Sequence, residues 1–321
     1  MRIVLMLKKT AAVSATLVAL TTLAACGGSS SGGGTTSAGG GGKVAVVASF
    51  YPLQYAAQRV GGDAVSVTNL TKPGAEPHDL ELSPKDVAAV ADAGLVVYLS
   101  GFQPAVDEAV KTQAAGTAFD AAGSARLDLE GVEEEHEGEA HEGEEEHSAT
   151  DPHFWLDPTR LADVGDALAA RLGQADPAQA ATFTANAAAL RKDLEALDGE
   201  MKAGLATCTN KDVVTSHQAF GYLAQRYGLT QVGITGLSPE AEPDAKTIAK
   251  VTDFVRANDV TTIYYETLVS PAVAKTVASE TGAKTAVLDP IEGISDASAA
   301  QDYLGVMRAN LAALRAGQPC S

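Results

Sequence analysis

Three of the chain's six histidines stand in stiff loops at the ends of strand-like runs. His78 lies in TKPGAEPHDLELSP, where two prolines and a glycine follow the run SVTNL. His153 lies in DPHFWLDP, bounded by prolines just before a helical stretch, and His217 directly follows DVVTS. Asp289 ends KTAVLDP, the last strand-like run. Imidazole nitrogens and a carboxylate oxygen are donors for a divalent metal, and four of them facing one cleft would suit tetrahedral Zn2+. Taken singly, each is more often a surface or packing residue. What joins them is that every histidine outside the acidic run sits at an equivalent place, two donors in each half of the chain. Close-spaced zinc patterns such as His-Glu-x-x-His or Cys-x-x-Cys are absent.

The other three histidines, His136, His141 and His147, belong to EEEHEGEAHEGEEEH. Ten glutamates and no Lys or Arg fall between Glu130 and Glu146. Such a segment has too little apolar surface to offset the entropy of ordering, so it is expected to be a solvated loop over 130–149. Its spacing forms no fixed site. It either collects metal weakly or merely keeps the protein soluble.

The elements that must position these donors follow from local pattern. KVAVVASF, SVTNL and LVVYLS are short β-branched runs, with the helix SPKDVAAVADAG between the last two. Ser83 is its N-cap, Pro84 suits its first turn, and Gly94 ends it. Strand and helix alternate again at DVVTS, TQVGI, TTIYYE and KTAVLD, with helical segments near 217–227, 243–258 and 271–281 and at the C-terminus. This pattern predicts two α/β lobes, each a small, mainly parallel sheet flanked by helices. Between them, DPTRLADVGDALAARLG reads as one helix and a much longer one starts at Asp176-Pro177. Phe183, Ala187, Leu190, Leu194, Leu197, Met201 and Leu205 stripe one face of it over roughly 40 Å. That helix would be a strut, with the ligand cleft between the lobes beyond the carboxyl ends of the strands.

The N-terminus reads as an export signal over 1–25, with Arg2, Lys8 and Lys9 before an apolar run too short for a good membrane span. Leu23-Ala24-Ala25-Cys26 resembles the cleavage box of bacterial lipoproteins and makes Cys26 the expected lipid site. The Gly/Ser stretch to residue 42 would be a tether reaching roughly 20–25 Å. Lobes are then expected at 43–172 and 207–321, with the linking helix at 173–206. The formal charge of −18 speaks against nucleic acid as a partner. Outside the cytoplasm Cys208 and Cys320 are expected to pair, the alternative being two separate buried thiols.

KPGAEPHDLELSP, DPHFWLDP, TSHQAFGYLAQRYGL and GLSPEAEPDAKTIAKV resemble the signature blocks of the metal-binding solute-binding proteins of ABC importers, in the zinc-binding, ZnuA-type branch. The likeness runs from about Lys43 to the C-terminus. It implies a lipid-anchored extracytoplasmic receptor, a monomer with no catalytic residues, that captures Zn2+ and delivers it to a membrane permease with its cytoplasmic ATPase. Carried over by motif, the ligands fall on His78, His153, His217 and Asp289, with Glu266 or water in reserve for the fourth. Manganese-binding relatives carry Glu where this chain has His217, so a manganese receptor is the alternative within the family. Outside it, the alternative is a secreted zinc hydrolase using three histidines and an open position.

Overall fold

The computed structural model describes residues 42–131 and 150–320. The export segment, Cys26, the tether to residue 41 and the three histidines of the acidic run lie outside the described residues. In the first lobe the chain runs β1 (Val44–Ala48), α1 (Tyr51–Gly61), β2 (Val65–Asn69), α2 (Pro84–Asp92), β3 (Leu95–Tyr98), α3 (Pro104–Ala109), β4 (Ala118–Asp120) and α4 (Ala122–Ala125). All pairings are parallel, in the order β2-β1-β3-β4. Two central helices follow, α5 (Pro158–Ala175) and α6 (Ala180–Leu205). The second lobe runs β5 (Asp212–Thr215), α7 (Gly221–Tyr227), β6 (Thr230–Gly233), α8 (Ala245–Ala257), β7 (Thr262–Tyr265), α9 (Ala272–Thr281) and β8 (Lys284–Val287). Its strands are again parallel, in the order β6-β5-β7-β8, and α10 (Tyr303–Gly317) closes the chain. The two lobes therefore share one strand order.

Strand periodicity distributes the core. Neighbouring residues of a strand face opposite sides of the sheet, so Val46 packs inward while Val47 joins an outer cluster with Val90, Val96 and Val106. In the second lobe Val213 packs inward and Val214 joins Ile234, Val251 and Ile263 outside. The inner faces do not remain separate. They merge along α6 into one cluster in which Phe183, Leu190, Leu194, Leu197 and Met201 touch groups from both lobes. Each such leucine is fully buried and contributes about 1.5–3 kcal/mol relative to exposure.

The strut is also pinned by charge. Arg59 of α1 meets Asp193 at 2.6 Å, and Arg226 of α7 donates two hydrogen bonds of 2.9 Å to Asp198. Asp198 is the one acid in the buried stripe of α6. Burial raises its pKa, but the bonds from Arg226 and Lys202 outweigh that and hold it below the usual carboxylate range. At the far end of α6, Gly204 admits Leu311 of α10, whose methyl group would lie 2.8 Å from any added Cβ. Nearby, Cys208 and Cys320 lie opposite each other on an isolated antiparallel bridge, Cα atoms 3.8 Å apart and sulfurs within bonding distance. No helix among the described residues is long and apolar enough to cross a membrane.

The strand-like runs and the apolar stripe emerge where the sequence patterns put them, and Ser83 caps α2 in a capping box with Asp86. The patterns assigned no element to α1 or to the segment from α3 to α4.

Candidate metal centre

His78 is carried by the loop between β2 and α2. The Glu76 carboxylate accepts its backbone N–H at 2.9 and 3.1 Å, and Gln103 donates to the Pro77 carbonyl at 3.0 Å, so the loop is braced from inside. The ring lies edge-on to Phe102, centroids 4.6 Å apart. His153 follows a short turn built by Asp151, whose Oδ1 accepts the His153 backbone N–H at 2.9 Å and lies 2.8 Å from its Nδ1. An aspartate two residues ahead is the usual side-chain acceptor in such a turn. His217 comes two residues after β5. The pairing of Thr215 with Tyr264 sets β5 beside β7, which brings Glu266 opposite His217, Oε1 to Nδ1 at 2.7 Å.

The far nitrogens converge. Glu292 Oε1 lies 3.4 Å from His78 Nε2, 3.2 Å from His153 Nε2 and 3.3 Å from His217 Nε2, while the Nε2 atoms of His78 and His153 are 3.4 Å apart. One donor atom from each of the four residues fits within a 4.8 Å span. Metal–donor bonds of about 2.0–2.1 Å in a tetrahedron demand edges of roughly 3.3–3.4 Å, which is the separation seen between the measured pairs. His153, His217 and Glu292 are fully shielded, and only the His78 side chain keeps 12% exposure.

The fourth member of the cluster is Glu292, where the reading by motif expected Asp289. Asp289 is buried but is not among the four. Its Oδ1 accepts the backbone N–H of Ile291 at 2.8 Å and its Oδ2 accepts the Thr267 hydroxyl at 3.2 Å, while Asn310 bonds both its N–H and its carbonyl. The side chain is spent folding a turn in which Ile291 takes a positive φ of 59°. That turn delivers Glu292, three residues on, into the cluster. Trp155 holds it from the other lobe by donating to the Pro290 carbonyl at 2.7 Å. Glu266, the reserve candidate, lies behind His217 rather than among the four. The sequence held only a partial signal: an aspartate just before Pro-x is a turn former, but nothing along the chain says which acid then completes the cluster.

Electrostatics mark the cluster as a place for positive charge. Burial pulls the His217 imidazole down, yet Glu266 and Glu292 outweigh it and lift the pKa to about 10. His153 is raised in the same way: burial opposes, and Asp151 and Glu292 prevail. His78, with less help from carboxylates, is lowered by burial. Burial would raise Glu292, but the three histidines hold it well below the ordinary value. Burial first and Glu292 second push Glu76 up to about 8. Among the described residues, His217 Nε2 and Glu292 Oε2 are buried with no aligned hydrogen-bond partner. Such atoms are costly to leave unpaired, and a cation at the centre would satisfy His217 Nε2.

The profile of the family described as ZnuA, zinc-uptake complex component A, periplasmic, matches residues 46–317. The chain is 40% identical over 280 residues to the zinc-binding lipoprotein AdcA of Streptococcus pneumoniae serotype 4, covering 85% of this chain and 55% of that protein. It is 38% identical over 277 residues to the high-affinity zinc uptake system protein ZnuA of Bacillus subtilis, covering 85% and 87%. The chain thus spans about half the length of its streptococcal relatives. Among solved structures, the Zn(II)-bound ZnuA-like domain of Streptococcus pneumoniae AdcA superposes with a TM-score of 0.71 at 35% identity, covering 86% of this chain and 99% of that one. The laminin binding protein Lmb of Streptococcus agalactiae, described as having adhesin and metal transporting activity, gives 0.74 at 33% identity, covering 86% and 99%.

Proposed function

This chain belongs to the ZnuA family of zinc-uptake component A proteins, and from that premise we propose that it is an extracytoplasmic receptor that captures Zn2+ and delivers it to an ABC permease and its ATPase. The observation that carries the reading is the convergence of three Nε2 atoms on one oxygen of Glu292, at separations of 3.2–3.4 Å. His78, His153, His217 and Glu292 are the ligands in this reading, and Asp289 is the residue that folds the turn. Three imidazoles and one carboxylate favour Zn2+ over Mn2+, which prefers oxygen-rich sets. Four protein donors fill a tetrahedral shell, so no position remains for the water that a hydrolase would need. Zinc is cargo here, and the protein is a binder rather than an enzyme.

The remaining features fit that role. Cys26 would carry the lipid, after removal of residues 1–25, and the tether to residue 42 would let a monomeric body spanning 43–321 reach the permease. That a relative is named a lipoprotein supports this reading. The acidic run with His136, His141 and His147 would gather zinc weakly near the cleft. Cys208–Cys320 would be a disulfide in the exported protein.

Elemental analysis with competitive titration against a chromophoric zinc chelator tests the proposal. The mature protein should take up one tight equivalent of zinc, and His78→Ala, His153→Ala and His217→Ala should each lose it. Tight binding that survives all three substitutions would overturn the ligand assignment. No tight equivalent in the parent protein would overturn the function.

A further inference from the structure

Two of the three histidines are gripped from behind, and the third is not. The His153 Nδ1 faces Asp151 Oδ1 at 2.8 Å, and the His217 Nδ1 faces Glu266 Oε1 at 2.7 Å. Both carboxylates are buried, at 2% and 3% exposure. Among the described residues no carboxylate is paired with the His78 Nδ1, and the Glu76 carboxylate is engaged by backbone N–H groups of the same loop. A carboxylate oxygen at 2.7–2.8 Å pairs with Nδ1 when that nitrogen carries the proton, which selects the Nδ1–H tautomer in both gripped rings. In a neutral imidazole that leaves the lone pair on Nε2, the atom aimed at Glu292.

We infer that Asp151 and Glu266 are positioning residues for the metal, fixing the tautomer and ring orientation of His153 and His217 without touching the ion. The inference rests on the zinc-receptor reading and adds two residues that lie outside the ligand set. Glu266 is itself held. Its Oε1 also accepts the Ser216 hydroxyl at 2.7 Å, and Ser216 is anchored by a backbone bond of 2.9 Å to Tyr264 in the neighbouring strand. Asp151 is held differently. Its carbonyl accepts the Tyr222 hydroxyl at 3.0 Å, from α7 of the other lobe. One grip is thus built by strand pairing and the other by a turn clamped across the lobes.

A direct role for Glu266 is the competing possibility, because its Oε2 has no hydrogen-bond partner among the described residues. The two roles differ in what a conservative change does. Glu266→Gln and Asp151→Asn keep size and one acceptor, but they offer an amide N–H to Nδ1, which allows the wrong tautomer. Each should lower zinc affinity roughly 10–100-fold, the usual effect of removing an outer-shell partner. The Co2+-loaded variants should keep the intense visible bands of a four-coordinate site, with shifted positions, because no ligand is lost. The metal-free variants should also melt at a lower temperature at neutral pH, because each loses a buried pairing with a histidine, so the zinc affinity and the Co2+ bands are the deciding readouts.

Unchanged zinc affinity in both variants would overturn the inference. So would a fall in melting temperature with affinity intact, which is the mark of a merely structural role. Loss of the four-coordinate Co2+ bands in Glu266→Gln would make Glu266 a ligand and overturn its positioning role. Should one variant fail to fold, Ser216→Ala, which only loosens the grip of Glu266, should still weaken zinc binding several-fold. Equal affinity there and in the remaining variant would overturn the inference. The parent protein and His217→Ala run alongside. If the parent binds no zinc tightly, the receptor reading fails. If it does and the variants match it, this inference alone fails.

Discussion

The two lobes repeat one strand order and yet present their donors by different means. In the second lobe His217 stands two residues past β5, and Glu266 reaches it because β5 and β7 are paired. In the first lobe His78 lies nine residues beyond β2, and His153 lies on the far side of the acidic run from β4. Sheet geometry alone cannot aim those side chains. Local devices do so instead: Pro77 and Glu76 for one loop, the Asp151 turn for the other. The second lobe then secures the first lobe's donor. Tyr222 bonds the Asp151 carbonyl, Tyr303 bonds the Trp155 carbonyl at 2.5 Å, and Trp155 returns a bond to Pro290. A strand end is a rigid mount, whereas a loop becomes one only when something else holds it. Those bonds from the second lobe supply that something.

The largest expected effect tests a staple that only the second lobe has. Cys208 and Cys320 are 112 residues apart, and closing a loop of that length stabilises by about 4–5 kcal/mol in the chain-entropy model. Cys208→Ser/Cys320→Ser should lower chemical-denaturation stability by up to that amount while the zinc equivalent survives. Readily alkylated thiols in the exported protein would remove the premise.

Next come the donors themselves. His153→Ala and His217→Ala should each weaken zinc by about a thousandfold, or roughly 4 kcal/mol, in competition titrations. Equal losses mean that the loop mount is as rigid as the strand mount. A much smaller loss for His153 would break the comparison, because a loosely held donor has less to lose.

The third pair probes the second lobe's turn. Glu292→Gln should cost about a hundredfold in zinc affinity, while Asp289→Asn should stay within a few-fold of the parent, because an amide can still accept from Ile291. The reverse outcome would restore Asp289 as the ligand.

Acid should weaken the site by a smaller, graded amount. With its pKa lifted to about 10, His217 keeps a proton at neutral pH that an incoming metal must displace. Zinc affinity should therefore fall about tenfold per pH unit for each proton displaced as pH drops. The metal-free protein has its own dependence. A histidine raised from 6.5 when folded contributes stability that is fully present below pH 6.5 and lost as pH rises toward 10. Melting scans between pH 7 and 10 should show that loss, and His217→Gln should flatten it.

The smallest effect belongs to the first lobe. Ser83→Ala removes the capping box of α2, just beyond the His78 loop, and should cost about 1 kcal/mol of stability. Zinc affinity should not change if Pro77 and Glu76 suffice to hold His78. A parallel drop in affinity would show that the loop leans on the helix.

Much of this protein is decided by local chemistry and can be read along the chain. Runs such as VAVVA and DVVT are strands because β-branched residues suit a pleat buried on both faces. The stripe from Phe183 to Leu205 is one helix face because its period is helical, and all seven of its apolar positions are buried. A proline-stiffened loop after a strand marked His78, a proline-bounded loop just before a helix marked His153, and the end of DVVT marked His217. Tertiary structure decided the rest. Which acid completes the cluster depends on how Asp289 is held: Ile291 and Thr267 occupy its carboxylate and Asn310 bonds its backbone, and Thr267 and Asn310 lie 22 and 21 residues away in the chain. That Glu266 grips His217 follows from a strand pairing between residues 49 positions apart. Helix α1 begins at Tyr51-Pro52, two residues after β1, with no side-chain N-cap and only Pro52 as a local start signal, and it packs against α5 and α6. A carboxylate carries no mark of its future partner: residue type and spacing select the candidates, and only the fold determines which oxygen remains free to meet the metal.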